Sequence, residues 1–123
     1  MTYFSQLESI SPHRIWDGVS ARVVEGERLT FSVIELAPSI TVPAHQHENE
    51  QIGMVVQGAM SFTIGEETQE VGPGSAWAIP GNVPHTVTTG PEGVVVLEAF
   101  APPRADWERL ERGDPTQPAW PPA

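Results

Sequence analysis

Apolar and polar residues alternate in short runs over most of this chain. Phe31, Val33 and Glu35 alternate with Ser32, Ile34 and Leu36, and Met60, Phe62 and Ile64 alternate with Ser61 and Thr63. Successive side chains of an extended chain point to opposite faces, so a period of two marks a strand with one face buried. The runs are short because Gly, Pro and Asn interrupt them. Glu25-Gly26-Glu27-Arg28, Gly65-Glu66, Val71-Gly72-Pro73-Gly74 and Pro80-Gly81-Asn82 read as turns. The pattern predicts a hairpin over 21–25 and 29–36, a strand entered through Pro38 and Pro43, and further strands over 51–57, 60–64, 76–79, 85–89 and 94–100. About nine short strands with no helical period among them indicate an all-β antiparallel sandwich or barrel. Only Arg104 to Arg112 reads as a helix, with Asp106 as its cap, Trp107 and Leu110 on one face and Gly113 as its stop.

At 123 residues the chain has room for one core. The expected division is an N-terminal arm over 1–18, a single domain over 19–113 and a proline-rich tail over 114–123. The arm reads as irregular, with turn signals at Ser11-Pro12 and Asp17-Gly18, and its His13 as a solvated surface residue. The tail is too rich in proline to continue either regular structure and is expected to be loosely docked, with Trp120 as a possible anchor. A long arm and exposed strand edges predict a homodimer. Met54, Met60, Phe62 and Trp77 read as barrel lining or core.

Composition narrows the chemistry. There is no cysteine, which removes disulfides, thiolate ligands and cysteine nucleophiles together, and no lysine, which removes Schiff-base chemistry. Sixteen acids against six arginines give a formal charge of -10, which argues against nucleic acid or an anionic membrane as partner. The N-terminus lacks a basic region followed by an apolar block, and no stretch approaches membrane-spanning length. A cytoplasmic location is the expectation.

The chemistry-bearing stretch is Pro43-Ala44-His45-Gln46-His47-Glu48-Asn49-Glu50-Gln51. His45 and His47, two residues apart, face one side of an extended strand; Gln51 shares their parity and Glu50 does not. His85 from another strand would complete a four-ligand site rich in nitrogen and oxygen, suited to a divalent transition metal such as Zn, Ni, Fe, Mn or Co. Two alternatives stay open: Gln51 facing away, leaving three histidines and water, or Glu50 swinging in if a bulge reverses parity. Three imidazoles and one amide are all neutral, so the full divalent charge stays on the ion. That favours an anionic ligand and Lewis-acid work over the two-histidine, one-carboxylate pattern of non-haem iron oxygenases.

Two spaced motifs carry a resemblance. His45-x-His47-x-x-x-Gln51 with Gly58, and Gly74 with Pro80-x-Asn82-x-x-His85, resemble the paired motifs of the cupin superfamily. Glutamine stands at 51 where glutamate is commonest, and asparagine at 82 where glycine is usual. The resemblance implies a double-stranded β-helix, a jelly-roll-like barrel. His45, His47, Gln51, Ile52, Gly53, the run Ile79 to His85 and the segment Glu98-x-Phe100-x-Pro102-Pro103-Arg104-x-Asp106-Trp107 are further similar to small cupins that linearise unsaturated uronates from pectin and alginate. That likeness implies metal ligation by His45, His47, Gln51 and His85, with Glu98 and Arg104 catalytic and Phe100 and Arg104 contacting a small carboxylate-bearing substrate. The family has aspartate at the position of Glu98, so the carboxylate here reaches about one methylene further. Because the Gln51 pattern also occurs in an isomerase of antibiotic biosynthesis, a biosynthetic cyclase or isomerase is an alternative, as are a dioxygenase and a non-catalytic module that captures a small acid.

Overall fold

Eight strands take up the alternating runs: β1 (His13–Trp16), β2 (Val19–Glu25), β3 (Thr30–Leu36), β4 (Thr41–His45), β5 (Glu50–Ile64), β6 (Glu67–Val71), β7 (Ala76–Ile79) and β8 (His85–Ala101). The computed structural model describes residues 2–122. All the strand pairings are antiparallel, in the order β1-β2-β3-β8-β5-β6, with β4 also on β8 and β7 also on β5.

Two expected strand pairs are each one long strand. Residues 51–57 and 60–64 are continuous in β5, and 85–89 and 94–100 are continuous in β8. β5 and β8 pair from Glu50↔Ala101 to Ile64↔His85, with register shifts between Val55 and Gln57 and between Gly58 and Met60. A bulge bends a strand without ending it, so one chain can serve two layers. The outer half of β8 pairs with β3 and its first half with β4; the first half of β5 pairs with β7 and its second half with β6. The sheet thereby folds over on itself. Gly58 at the bend has φ +79°, and a Cβ there would run into the Gly93 carbonyl of the opposite strand. That close approach is why Gly58 stands in the motif.

The core lies between the two layers. Ile34, Val55, Val96 and Phe100 come from one layer and Val42, Met60, Phe62 and Val87 from the other. Met60, Phe62 and Trp77 are buried as expected, but Met54 is not: it is 38% exposed beside Ile52 at 54%, because the inward parity of β5 belongs to Gln51, Gly53 and Val55.

Three terminal expectations are corrected. Within the stretch read as an irregular arm, β1 pairs with β2, and His13 lies opposite Ala21 on one side and bridges Arg112 on the other. Backbone on both sides buries His13 to 7% exposure, so it is not a solvated histidine. The expected helix over 104–112 is a 3-10 turn, Ala105–Arg109, and Asp106 does not cap it. The tail is docked: the buried Arg22 donates to the carbonyl and hydroxyl of Thr116 as well as to Glu35, whose carboxylate also accepts the Ala119 amide, and Pro118 is buried. Residue 123 lies outside the described residues. No helix among the described residues is long and apolar enough to cross a membrane.

Burial, reinforced by the Arg112 charge, holds the His13 imidazole below its ordinary value of 6.5. The unfolded chain therefore takes up a proton at His13 before the folded one does, and folding stability falls as pH drops below about 6.5. Other imidazoles add to the same slope, so the contribution of His13 is a difference between proteins. His13→Gln should lose less stability than the wild type between neutral and mildly acidic pH, as read from urea denaturation at each pH.

Candidate metal centre and substrate cavity

β4 ends at His45, β8 begins at His85, and the two are register partners, so their rings lie 4.3 Å apart between centroids. His47 follows in the short connection to β5, and Gln51 is the second residue of β5. The turn before β8 fixes that connection: Asn82, at φ +63°, donates its amide to the His47 carbonyl at 2.7 Å, and a Cβ on Gly81 would meet the Glu48 carbonyl. Asparagine is second to glycine in tolerating this backbone region, which accounts for Asn82.

Each imidazole is oriented by its own backbone. Nδ1 of His45 bonds the Pro43 carbonyl at 2.8 Å, Nδ1 of His47 the Asn49 carbonyl at 3.0 Å, and Nδ1 of His85 the Val83 carbonyl at 2.9 Å. A carbonyl only accepts, so each Nδ1 carries the proton and each Nε2 keeps a lone pair. The three histidines bring ligand atoms within 4.8 Å of one another. Nε2 of His85 is buried with no hydrogen-bond partner, and Nε2 of His47 lies 3.0 Å from the Gln51 Oε1. In this tautomer, nitrogen and oxygen there are two acceptors facing each other, a repulsive contact that a cation between them would resolve. Burial lowers the His85 pKa to about 4 and also lowers that of His47, with the Arg104 charge adding to both, so these rings are neutral near pH 7.

Gln51 connects this cluster to a carboxyl group. Its amide nitrogen donates to Oε2 of Glu98, which also accepts the Trp77 indole N–H at 3.1 Å. Gly53, the register partner of both Glu98 and Trp77, makes room for this: a Cβ there would sit 2.6 Å from the indole nitrogen and 2.9 Å from the carboxylate. Glu98 is 8% exposed, and burial raises its pKa to about 7 against the opposing pull of the Gln51 and Trp77 hydrogen bonds. Glu50 is exposed; the bulges of β5 lie beyond it, and parity is not reversed.

Phe100 is buried one inward position beyond Glu98. Its ring meets His47 at 5.8 Å and Trp107 at 5.0 Å. The Arg104 guanidinium lies over both Phe100 and Trp107, 4.8 and 4.3 Å from the ring centroids. Its Nε and Nη2 donate to the two Asp106 oxygens at 3.0 and 2.9 Å, and that bond holds the Asp106 carboxyl below the ordinary range. All these residues line or adjoin one cavity of about 210 Å³. His45, His47, Gln51, His85, Glu98, Phe100 and Arg104 are thus brought together. Trp77 and Asp106 went unrecognised as site groups. The alternation of Trp77 and Ile79 with Ala76 and Ala78 carried the signal for the first; the second depends on a 3-10 turn that sequence pattern did not distinguish from an α-helix.

Residues 32–100 match the cupin domain family. The chain belongs to the cupin family. This cupin is 45% identical over 78 residues to the H2HPP isomerase of Bacillus subtilis, a match that covers 63% of this chain and only 30% of that protein. It is 27% identical over 93 residues to the pectin degradation protein KdgF of Dickeya dadantii (strain 3937), covering 74% of this chain and 84% of that one. The structure of KdgF from Halomonas sp. superposes with a TM-score of 0.78 at 25% identity, covering 86% of this cupin and 98% of that chain.

The donor set fits a divalent transition metal: three imidazoles oriented through Nδ1 with Nε2 left for a ligand, an orphaned buried nitrogen, and an amide oxygen crowded against one of them. Alanine at His45, His47 or His85 should reduce retained zinc from about one ion per chain to a small fraction of that. Elemental analysis after metal loading and gel filtration checks this, with circular dichroism to confirm that the barrel is kept.

Proposed function

We propose that this cupin is a metal-dependent isomerase that moves a proton within a small unsaturated carboxylic acid, without net oxidation or reduction. The observation that carries this reading is the buried Glu98 carboxyl in the cavity wall, tied by both Gln51 and Trp77 through one oxygen, Oε2, and lying beside the histidine cluster. Neither of those bonds engages Oε1. Glu98 takes a proton from one substrate atom and returns it to another. Arg104, held flat by Phe100 and Trp107, takes the substrate carboxylate; Asp106 occupies Nε and Nη2, and Nη1 is outside that pair. His45, His47, Gln51 and His85 would hold a divalent first-row ion, which would supply Lewis acidity toward a substrate oxygen.

Linearisation of an unsaturated uronate is one reaction of this kind. Its hemiacetal opens and a proton moves onto the ring alkene carbon, giving a linear keto-aldehyde. The likeness to KdgF proteins supports it. A second reading, isomerisation of a different unsaturated acid, draws on the higher identity to the H2HPP isomerase, of which this chain spans under a third. Both use the same residues.

Glu98→Gln keeps the shape and one hydrogen-bond acceptor but cannot exchange a proton. It should leave metal content unchanged and lower turnover by at least about a hundredfold. The assay follows the alkene absorbance of whichever unsaturated acid, an unsaturated uronate or a carbocyclic oxo acid, the metal-loaded wild type turns over. Undiminished turnover in the variant would remove Glu98 from the mechanism, and ligand recovered unchanged from the wild type after saturable binding would make the protein a capture module.

A further inference from the structure

The polar side chains that line the cavity form one connected cluster. Apart from the indole nitrogens, the polar side chains that line it are the metal donors, Glu98 and the Arg104–Asp106 pair. The remaining wall is hydrocarbon, chiefly Ile34, Leu36 and Val96 from one layer and Met60, Phe62 and Val87 from the other. Backbone N–H and C=O groups of these strands are largely engaged in the antiparallel ladders, so they offer little to a ligand. Three interior hydroxyls could have made the wall polar, but each bonds within the protein: Thr30 to Glu25, Ser32 to the Glu98 carbonyl and Thr89 to the Ala37 carbonyl. None of the three lines the cavity.

A pyranose acid carries hydroxyls around its whole ring. With the carboxylate at Arg104 and an oxygen at the metal end, the other hydroxyls would face Leu36, Phe62 and their neighbours without partners, and a buried polar group left unpaired is costly. We infer that the acid this cupin takes is not a sugar: it has a carboxylate, an oxygen function for the metal end, and a hydrocarbon body, as in a carbocyclic or branched unsaturated oxo acid. This rests on the preceding reading of Arg104 as the carboxylate site and specifies which of its two substrate classes the cavity accepts.

Three probes separate the two ideas in calorimetric titrations of the zinc-loaded 123-residue chain. Cyclohexanecarboxylate and galacturonate share a six-membered ring and a carboxylate and differ in ring hydroxyls and the ring oxygen; cyclohexylmethanol keeps the hydrocarbon ring and lacks the carboxylate. Cyclohexanecarboxylate should bind about a hundredfold tighter than galacturonate, the discrimination expected when polar groups find no partner. Galacturonate binding as tightly or more tightly would overturn the inference, and so would failure of both acids to bind. Cyclohexylmethanol binding as tightly as cyclohexanecarboxylate would instead overturn the Arg104 reading, whatever the acid-to-acid ratio. Val96→Thr, which puts a hydroxyl in the wall at nearly constant volume, should narrow that ratio; an unchanged ratio in the folded variant counts against the inference.

Discussion

The antiparallel pairing of β5 with β8 through a shared bend is the constraint on which the rest of this molecule depends. The pairing runs from Glu50↔Ala101 to Ile64↔His85, and the bend near Gly58 and Gly93 turns one ribbon into two facing layers. It also sets the site. Gln51, Phe100 and Glu98 lie at one end of the ribbon and His85 at the other, and folding the ribbon over brings those ends to opposite walls of the same cavity. β4, laid on β8, then supplies His45 at the register of His85. The histidines are distant in sequence and adjacent in space because of this fold-over.

Gln51 is the point at which two requirements meet. Its oxygen contacts His47 and its nitrogen contacts Glu98, so a single amide bridges the histidine cluster and the buried carboxyl. Glutamate at this position would put a second carboxylate against Glu98 in a buried space, where two like charges raise one another's pKa. An amide avoids that conflict and supplies a donor to stabilise Glu98. The same logic makes Gly53 and Trp77 parts of the site: one vacates the space and the other provides the second donor.

Much of this was legible in the residues. Strict alternation marked the buried faces of β3 and β5, and parity alone set Gln51 inward and Glu50 outward. The spacing of the two motifs indicated that His85 joins His45 and His47. Other features depended on non-local contacts that no local pattern encodes. His13 is buried because β2 and the Arg112 segment flank it. The proline-rich tail is docked because Arg22 and Glu35, 94 and 84 positions upstream, hold Thr116 and Ala119. Strand breaks at Gly58 and Gly90–Gly93 looked like ends and were bends, since a glycine in a strand signals a bulge as readily as a turn.

The chain carries a formal charge of -10, yet the proposed ligand is an anion. Charges beyond about 8 Å are largely screened at physiological ionic strength, so the groups at the cavity decide. There Arg104 is already matched by Asp106, and a matched pair exerts little net field. Glu98 sits in surroundings that favour its neutral form. The His47 and His85 imidazoles, held below their ordinary value by burial, and the Gln51 amide are neutral as well. The local field that would draw a carboxylate in therefore comes chiefly from a divalent ion, undiminished by any anionic ligand. Arg104 then contributes geometry: a planar fork lying over two aromatic rings that meet edge to face, already bound to one carboxylate through Nε and Nη2. If the proposed reading holds, the strength of anion capture would follow metal loading, while the orientation of the captured acid would follow Phe100, Trp107 and Asp106.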